Sequence, residues 1–208
     1  MKTLTSLLFE SYNSDIRKLE LKLQSFGYTV RHDTSRPKGF ALEIRLPKDQ
    51  LYVPEDLEIL SKNLEAYPNL LMIDAKVGED KNYVDFIFPV TERFVDKVYH
   101  VTSKKWIESI TEKGLLCSRP TDASDNIKKH ESKESFRDRK YKAVFVISNL
   151  EDAKKVSKMF DFEEPQLIEL DTKNLKFFED PMMPEEMDSL VHFDDIEPKR
   201  IINITDIK

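Results

Sequence analysis

Lys97-Val98-Tyr99-His100-Val101-Thr102-Ser103, followed by Trp106-Ile107-Glu108-Ser109-Ile110 and then Gly114-Leu115, is the stretch on which the fold turns. Its first part is rich in β-branched and aromatic residues, which predicts a strand over Lys97–Val101 with Tyr99-His100-Val101-Thr102 at its end. Ser103 is of the type that caps a helix N-terminus, Trp106, Ile107 and Ile110 fall at helical spacing, and Gly114 supplies a stop. A helix over Ser103–Lys113 follows from that pattern. Taken alone, a histidine in such a strand is a structural residue. The rest of the chain makes His100 informative.

The chain has 208 residues, enough for one large domain or two small ones. Charged residues make up 35% and hydrophobic ones 39%, a balance that suits a globular protein with a charged surface. Glycine occurs only at 27, 39, 78 and 114. That scarcity excludes the glycine-rich phosphate cradles of dinucleotide-binding and P-loop motifs. The net charge of −6 argues against a nucleic-acid partner or an anionic membrane unless a local basic patch provides the contact. Cys117 is the only cysteine, so no disulfide forms within the chain and no cysteine-rich zinc site exists. No apolar run approaches the ~18 residues of a membrane helix, and the N-terminus is too polar for a secretory signal. The expected location is cytoplasmic.

Working outward, the residues before Pro89 predict a small α/β sandwich. Leu4, Leu7, Leu8, Ile16, Leu19, Leu23 and Phe26 recur at helical spacing, with a break expected at Asn13-Ser14-Asp15. Gly27 marks the helix exit, and strands are predicted from Tyr28 and over Phe40–Leu46. Pro54 to Pro68 bounds a second helix, and Leu70–Val77 with Tyr83–Val90 reads as a hairpin. A domain boundary falls within Pro89–Asp96, dividing the chain into residues 1–92 and 93–208. Beyond the quoted stretch, Ser118–Lys142 holds eight Lys/Arg and five Asp/Glu and predicts a polar loop. A strand (Ala143–Ile147), a helix (Leu150–Phe160), a strand (Gln166–Leu170), an acidic loop around Pro181–Asp188 and two strands (Leu190–Phe193, Arg200–Ile204) complete an α+β chain.

Three segments of the second part, in order, resemble the ADP-ribosyltransferase-like superfamily. Val98-Tyr-His-Val-Thr-Ser103 with Ile107, Ile110 and Lys113-Gly-Leu115 looks like the family's first motif. Ala143-Val-Phe-Val-Ile-Ser148-Asn-Leu-Glu-Asp-Ala153 is similar to its aromatic-bearing strand, serine and following helix. Leu167-Ile-Glu-Leu-Asp171 and Phe193-Asp-Asp-Ile196-Glu-Pro198-Lys-Arg-Ile201 resemble its closing elements in bacterial and phage members. The set spans residues 96–204.

The resemblance implies a split antiparallel β-sheet fold with NAD as substrate in the cleft. No His/Cys cluster falls at metal-ligand spacing, so no metal is expected. The resemblance also implies that His100 hydrogen-bonds the adenosine-side ribose, that Tyr99 and Thr102 lie beside it, that Phe145 stacks on nicotinamide, and that Ser148 flanks the pocket. Many members have Tyr where Phe145 stands; Phe keeps the stacking face and loses the hydroxyl. The family's acid, which stabilises the positive charge left when nicotinamide departs, falls near Asp188, and Glu186 and Asp188 are the candidates. Arg137 and Arg139, in the polar loop, are the expected diphosphate contacts because guanidinium binds phosphate in a bidentate manner. His192 is the runner-up histidine, while His32 and His130 read as surface residues.

Met1-Lys-Thr-Leu-Thr-Ser-Leu-Leu-Phe-Glu10 resembles the capsid-targeting leaders of internal head proteins of large tailed bacteriophages, with Leu8-Phe9-Glu10 as the protease site. That resemblance implies a phage protein packaged in the virion and injected to modify host proteins. The expected activity is ADP-ribosyl transfer to a macromolecular acceptor, a protein before a nucleic acid. Two alternatives stand beside it: a non-catalytic binding or virion-associated module of the same fold, and an RNA 2′-phosphotransferase-like enzyme. The sequence lacks the Gly-His-Ser element of the latter.

Overall fold

Burial of an apolar stripe decides the first helix. In the computed structural model α1 (Leu4–Ser25) runs unbroken through Asn13-Ser14-Asp15. Ile16, Leu19 and Leu23 are buried at helical spacing beyond that point, and their burial outweighs the weak helix preference of Asn, Ser and Asp. Lys18 Nζ adds an ion pair to Asp15 at 3.2 Å. The helix ends before Phe26, which is exposed rather than part of the stripe, and Gly27 makes the turn with φ of 90°.

The described residues are 4–34, 38–46, 59–60, 62–64, 66–67, 70–71, 74–77, 83–89, 91–117, 143–160 and 162–207. The chain divides into two compact units, Met1–Arg36 with Phe40–Phe88, and Pro37–Gly39 with Pro89–Lys208. The first holds α1 and a four-stranded sheet ordered β1-β2-β4-β3, from β1 (Thr29–Asp33), β2 (Gly39–Arg45), β3 (Asp74–Val77) and β4 (Tyr83–Pro89). β1 and β2 pair antiparallel, as do β3 and β4. Leu42 and Ile44 of β2 and Phe86 and Phe88 of β4 are fully buried, and the Phe40 and Phe88 rings stack with centroids 5.1 Å apart. Helical turns at 59–60 and 62–64 bury Leu60 and Leu64; the remainder of the helix expected between Pro54 and Pro68 lies outside the described residues.

The second unit is built on a seven-stranded sheet ordered β11-β8-β6-β7-β10-β9-β5. Its strands are β5 (Glu92–Arg93), β6 (Lys97–Ser103), β7 (Val144–Ile147), β8 (Pro165–Asp171), β9 (Phe177–Glu179), β10 (Ser189–His192) and β11 (Ile201–Asp206). Every pairing is antiparallel, so the whole chain is α+β. β5 and β9 are absent from the sequence reading: two and three residues are too short to set up an alternating pattern.

One junction in this sheet differs from the rest. β6 pairs with β8 over seven positions, Lys97↔Asp171 to Ser103↔Pro165, and β7 with β10 over four. β6 and β7 meet at a single position, Tyr99↔Ile147. Strands β11-β8-β6 and β7-β10-β9-β5 are thus two halves joined at one point, and they part beyond it.

A helix covers each face. After β6 the chain makes one 3-10 turn (Lys104–Trp106) and then α2 (Ile107–Lys113). Ser103 does not cap this helix with its side chain. It is still paired in β6, and its hydroxyl accepts from Glu163 N at 3.1 Å instead. Ile110 of α2 joins a buried cluster with Val98, Val144, Val146, Ile168, Leu170 and Leu190. α3 (Leu150–Met159) is capped by Asn149, whose side chain accepts from Glu151 N at 2.8 Å. Its Ala153 and Val156 pack with Val101, Ile147, Leu167 and Met187 on the other face.

Gly114 closes α2 with φ of 82°. A Cβ there would fall 2.1 Å from the Ile196 carbonyl oxygen. The close approach serves an isolated bridge, in which Leu115 and Ile196 exchange two main-chain hydrogen bonds of 2.9 Å. None of the described helices is long and apolar enough to cross a membrane.

Candidate functional site

His100 sits where the two halves part. It follows Tyr99, the last β6 residue that pairs with β7. Continued register would set Phe145 opposite Val101, but no such pair forms. The Phe145 carbonyl is instead taken by the His100 ring, whose Nδ1 lies 2.9 Å from it. A carbonyl only accepts, so Nδ1 carries the proton and Nε2 of the neutral ring presents a lone pair. Burial lowers the His100 pKa from its ordinary 6.5, and the bond to Phe145 opposes that shift without reversing it. The imidazole is therefore uncharged at neutral pH.

A pocket opens beside this ring, lined by His100, Thr102, Trp106, Ile110, Leu115 and Phe145 among others. The β6 alternation places His100 and Thr102 on one face, while Tyr99 lies on the other with Val101 and Ile147. Register also sets the Phe145 ring on the Tyr99–Ile147 face. What Phe145 gives His100 is its carbonyl, and its side chain is 40% exposed.

Ser148 and Asp188 meet at the opposite end of β7. Ser148 Oγ donates to Asp188 Oδ2, and Ser148 N donates to Asp188 O at 3.0 Å. Asp188 N in turn donates to Asp152 Oδ2 at 3.3 Å. The Asp152 carboxyl is held below the usual range by Lys155, 2.6 Å away, and by this bond from Asp188 N. Arg93 NH1 is 2.5 Å from Glu179 Oε1 and 3.7 Å from Asp188 Oδ1. Met187, between the two acid candidates, is buried in the core. Glu186 is exposed. Lys38, part of the second unit, donates to Met187 O at 2.5 Å and Pro184 O at 3.2 Å, fixing the main chain of that loop.

The structure thus gathers His100, Thr102 and the Phe145 main chain at one place and Ser148 with Asp188 at another. Three steps along the strand separate Phe145 from Ser148, about 10 Å. Tyr99 stands on the reverse face, and Glu186 is outside the Asp188 hydrogen-bonding cluster. Arg137, Arg139 and His130 lie outside the described residues. His192 is buried in β10, its Nδ1 2.7 Å from Lys176 O and its ring 5.3 Å from that of Phe177. Its Nε2 is enclosed with no hydrogen-bond partner. His32 is half exposed and contacts the buried Glu20. Sequence reasoning missed Arg93 and Glu179, because their role depends on strands too short to be read. Among the described residues no group of three or more His, Cys, Asp or Glu is arranged to hold a metal ion.

No family model matches the chain, and no curated protein matches it.

Proposed function

We propose that this chain is an NAD-dependent ADP-ribosyltransferase acting on a macromolecular acceptor, a protein in preference to a nucleic acid. The observation that carries the reading is β7 itself. One end meets a neutral, acceptor-type histidine where the sheet parts, and the other ends at Ser148, bonded to a positioned carboxylate. A ligand touching both spans about 10 Å, a length that a dinucleotide satisfies. The two halves of the sheet, joined at Tyr99↔Ile147, support the family resemblance of the sequence motifs.

In this reading His100 Nε2 accepts a ribose hydroxyl and Thr102 lies beside it. Arg137 and Arg139 meet the diphosphate. The glycosidic bond to nicotinamide breaks with its electron pair leaving on nicotinamide. The ribose carbon then bonds to the acceptor nucleophile, which gives up its proton to solvent. Asp188 stabilises the positive charge between those events. Glu186, exposed two residues earlier, meets the incoming acceptor in this reading. The leader-like first ten residues support a phage origin, packaging in the head and action in the host cytoplasm; Leu8, Phe9 and Glu10 lie within α1.

A second reading, a binding module that keeps the fold without turnover, is favoured by one observation. The Phe145 ring lies on the face opposite His100, where it does not stack on a ligand held by that histidine. Calorimetry with NAD, run beside an assay of nicotinamide release, separates the two. Binding with release supports the transferase, and binding without release supports the module.

A further inference from the structure

Asp188 is fixed more completely than a residue of a solvated loop needs to be. Its amide donates to Asp152, its carbonyl accepts from Ser148 N, and one carboxylate oxygen accepts from Ser148 Oγ. The other oxygen faces Arg93, 3.7 Å away. That guanidinium has its own tether, Glu179, at 2.5 Å, which also raises the Arg93 pKa. Strand pairing places the three residues on one face of the sheet, offset along it by two positions each, a gap that the long Arg93 side chain spans. Arg93 of β5 pairs with Phe177 of β9, Glu179 of β9 pairs with Leu190 of β10, and Asp188 immediately precedes β10. β5 is two residues long, and the next large side chain, Phe94, is 89% exposed. Burial of Phe94 therefore does not anchor this edge, and the Arg93–Glu179 ion pair ties the β5 side chain to β9.

We infer that Arg93 is a positioning residue for the acid of the proposed reaction: tethered by Glu179, it fixes the direction in which Asp188 presents its carboxylate. The inference rests on the transferase reading. At 3.7 Å the Arg93–Asp188 contact is electrostatic rather than a directed hydrogen bond. A point charge on a flexible stem therefore replaces it in part, and a neutral side chain does not. Arg93 does not hold NAD in this arrangement, so its loss changes the rate and not the binding.

The test uses the full chain as wild type, Arg93→Gln, Arg93→Lys and Glu179→Gln, with nicotinamide release followed against NAD concentration and NAD binding measured by calorimetry. Arg93→Gln is expected to lower kcat on the order of ten- to a hundredfold, the scale of a misplaced reacting group, with KM and the NAD dissociation constant within about threefold. Arg93→Lys is expected to recover part of that loss, and Glu179→Gln to lose less than Arg93→Gln. The inference is overturned if Arg93→Gln keeps kcat within twofold of wild type. It is overturned equally if kcat and NAD binding fall together, or if Arg93→Lys is no better than Arg93→Gln. Failure of the wild type to release nicotinamide at millimolar NAD overturns the transferase reading itself, and the inference with it.

Discussion

His100 carries its proton on Nδ1 because the group that nitrogen meets, the Phe145 carbonyl, can only accept. Its burial then keeps the second proton off. This has a stability consequence of definite sign. The folded-state pKa lies below the unfolded value of about 6.5, so the unfolded chain binds the extra proton first. The stabilisation is fully present above that value and is lost as pH falls through the range beneath it. Denaturant unfolding of wild type and His100→Gln, compared between pH 7.5 and pH 5, is expected to show the wild-type advantage shrinking as pH falls. A constant difference contradicts the assignment of a buried neutral ring. The histidine was readable as a candidate from its place at a strand end before a helix. Its partner was not, since the Phe145 carbonyl becomes available only because β6 and β7 stop pairing, and nothing in either strand's composition marks that point.

Elements with long alternating or helical patterns were legible: β6, β7 and α3 follow from residues that bury alternate or every third to fourth side chain. Three features were not. α1 continues through Asn13-Ser14-Asp15 because tertiary burial overrides local preference. Ser103 serves the Glu163 amide rather than its own helix because β6 extends as far as Ser103. β5 and β9 carry Arg93 and Glu179 to Asp188 without any sequence period. Gly114, by contrast, was legible as a helix stop, but not as the site of the close approach to Ile196. Gly114→Ala combines a positive φ with a Cβ 2.1 Å from a main-chain oxygen, so it is expected to destabilise the chain by at least about 2 kcal/mol. Chemical denaturation measures this, and a loss under about 0.5 kcal/mol shows that the Leu115–Ile196 bridge gives way without cost. Asn149→Ala removes the acceptor for Glu151 N at the start of α3 and is expected to cost about 1 kcal/mol. The same denaturation assay checks it.

At the scale of the whole molecule, sequence and structure agree on an α+β chain, and the chain divides into two compact units. Under the proposed function, the scarcity of glycine that excludes a phosphate cradle leaves side chains as the means of holding a dinucleotide. A ligand that binds only the folded chain raises its stability by mass action, so NAD at a hundred times its dissociation constant is expected to add about 2.7 kcal/mol. Thermal unfolding with and without NAD reads this, and an unchanged midpoint at millimolar NAD argues against binding. Under the proposed function, the net charge of −6 favours a protein acceptor over nucleic acid. The most direct measurement of the central claim is nicotinamide release from NAD by the purified full chain, set against His100→Ala. The account predicts NAD-dependent release by the wild type and a loss on the order of a hundredfold in the variant. No release by the wild type, or equal release by both, contradicts it.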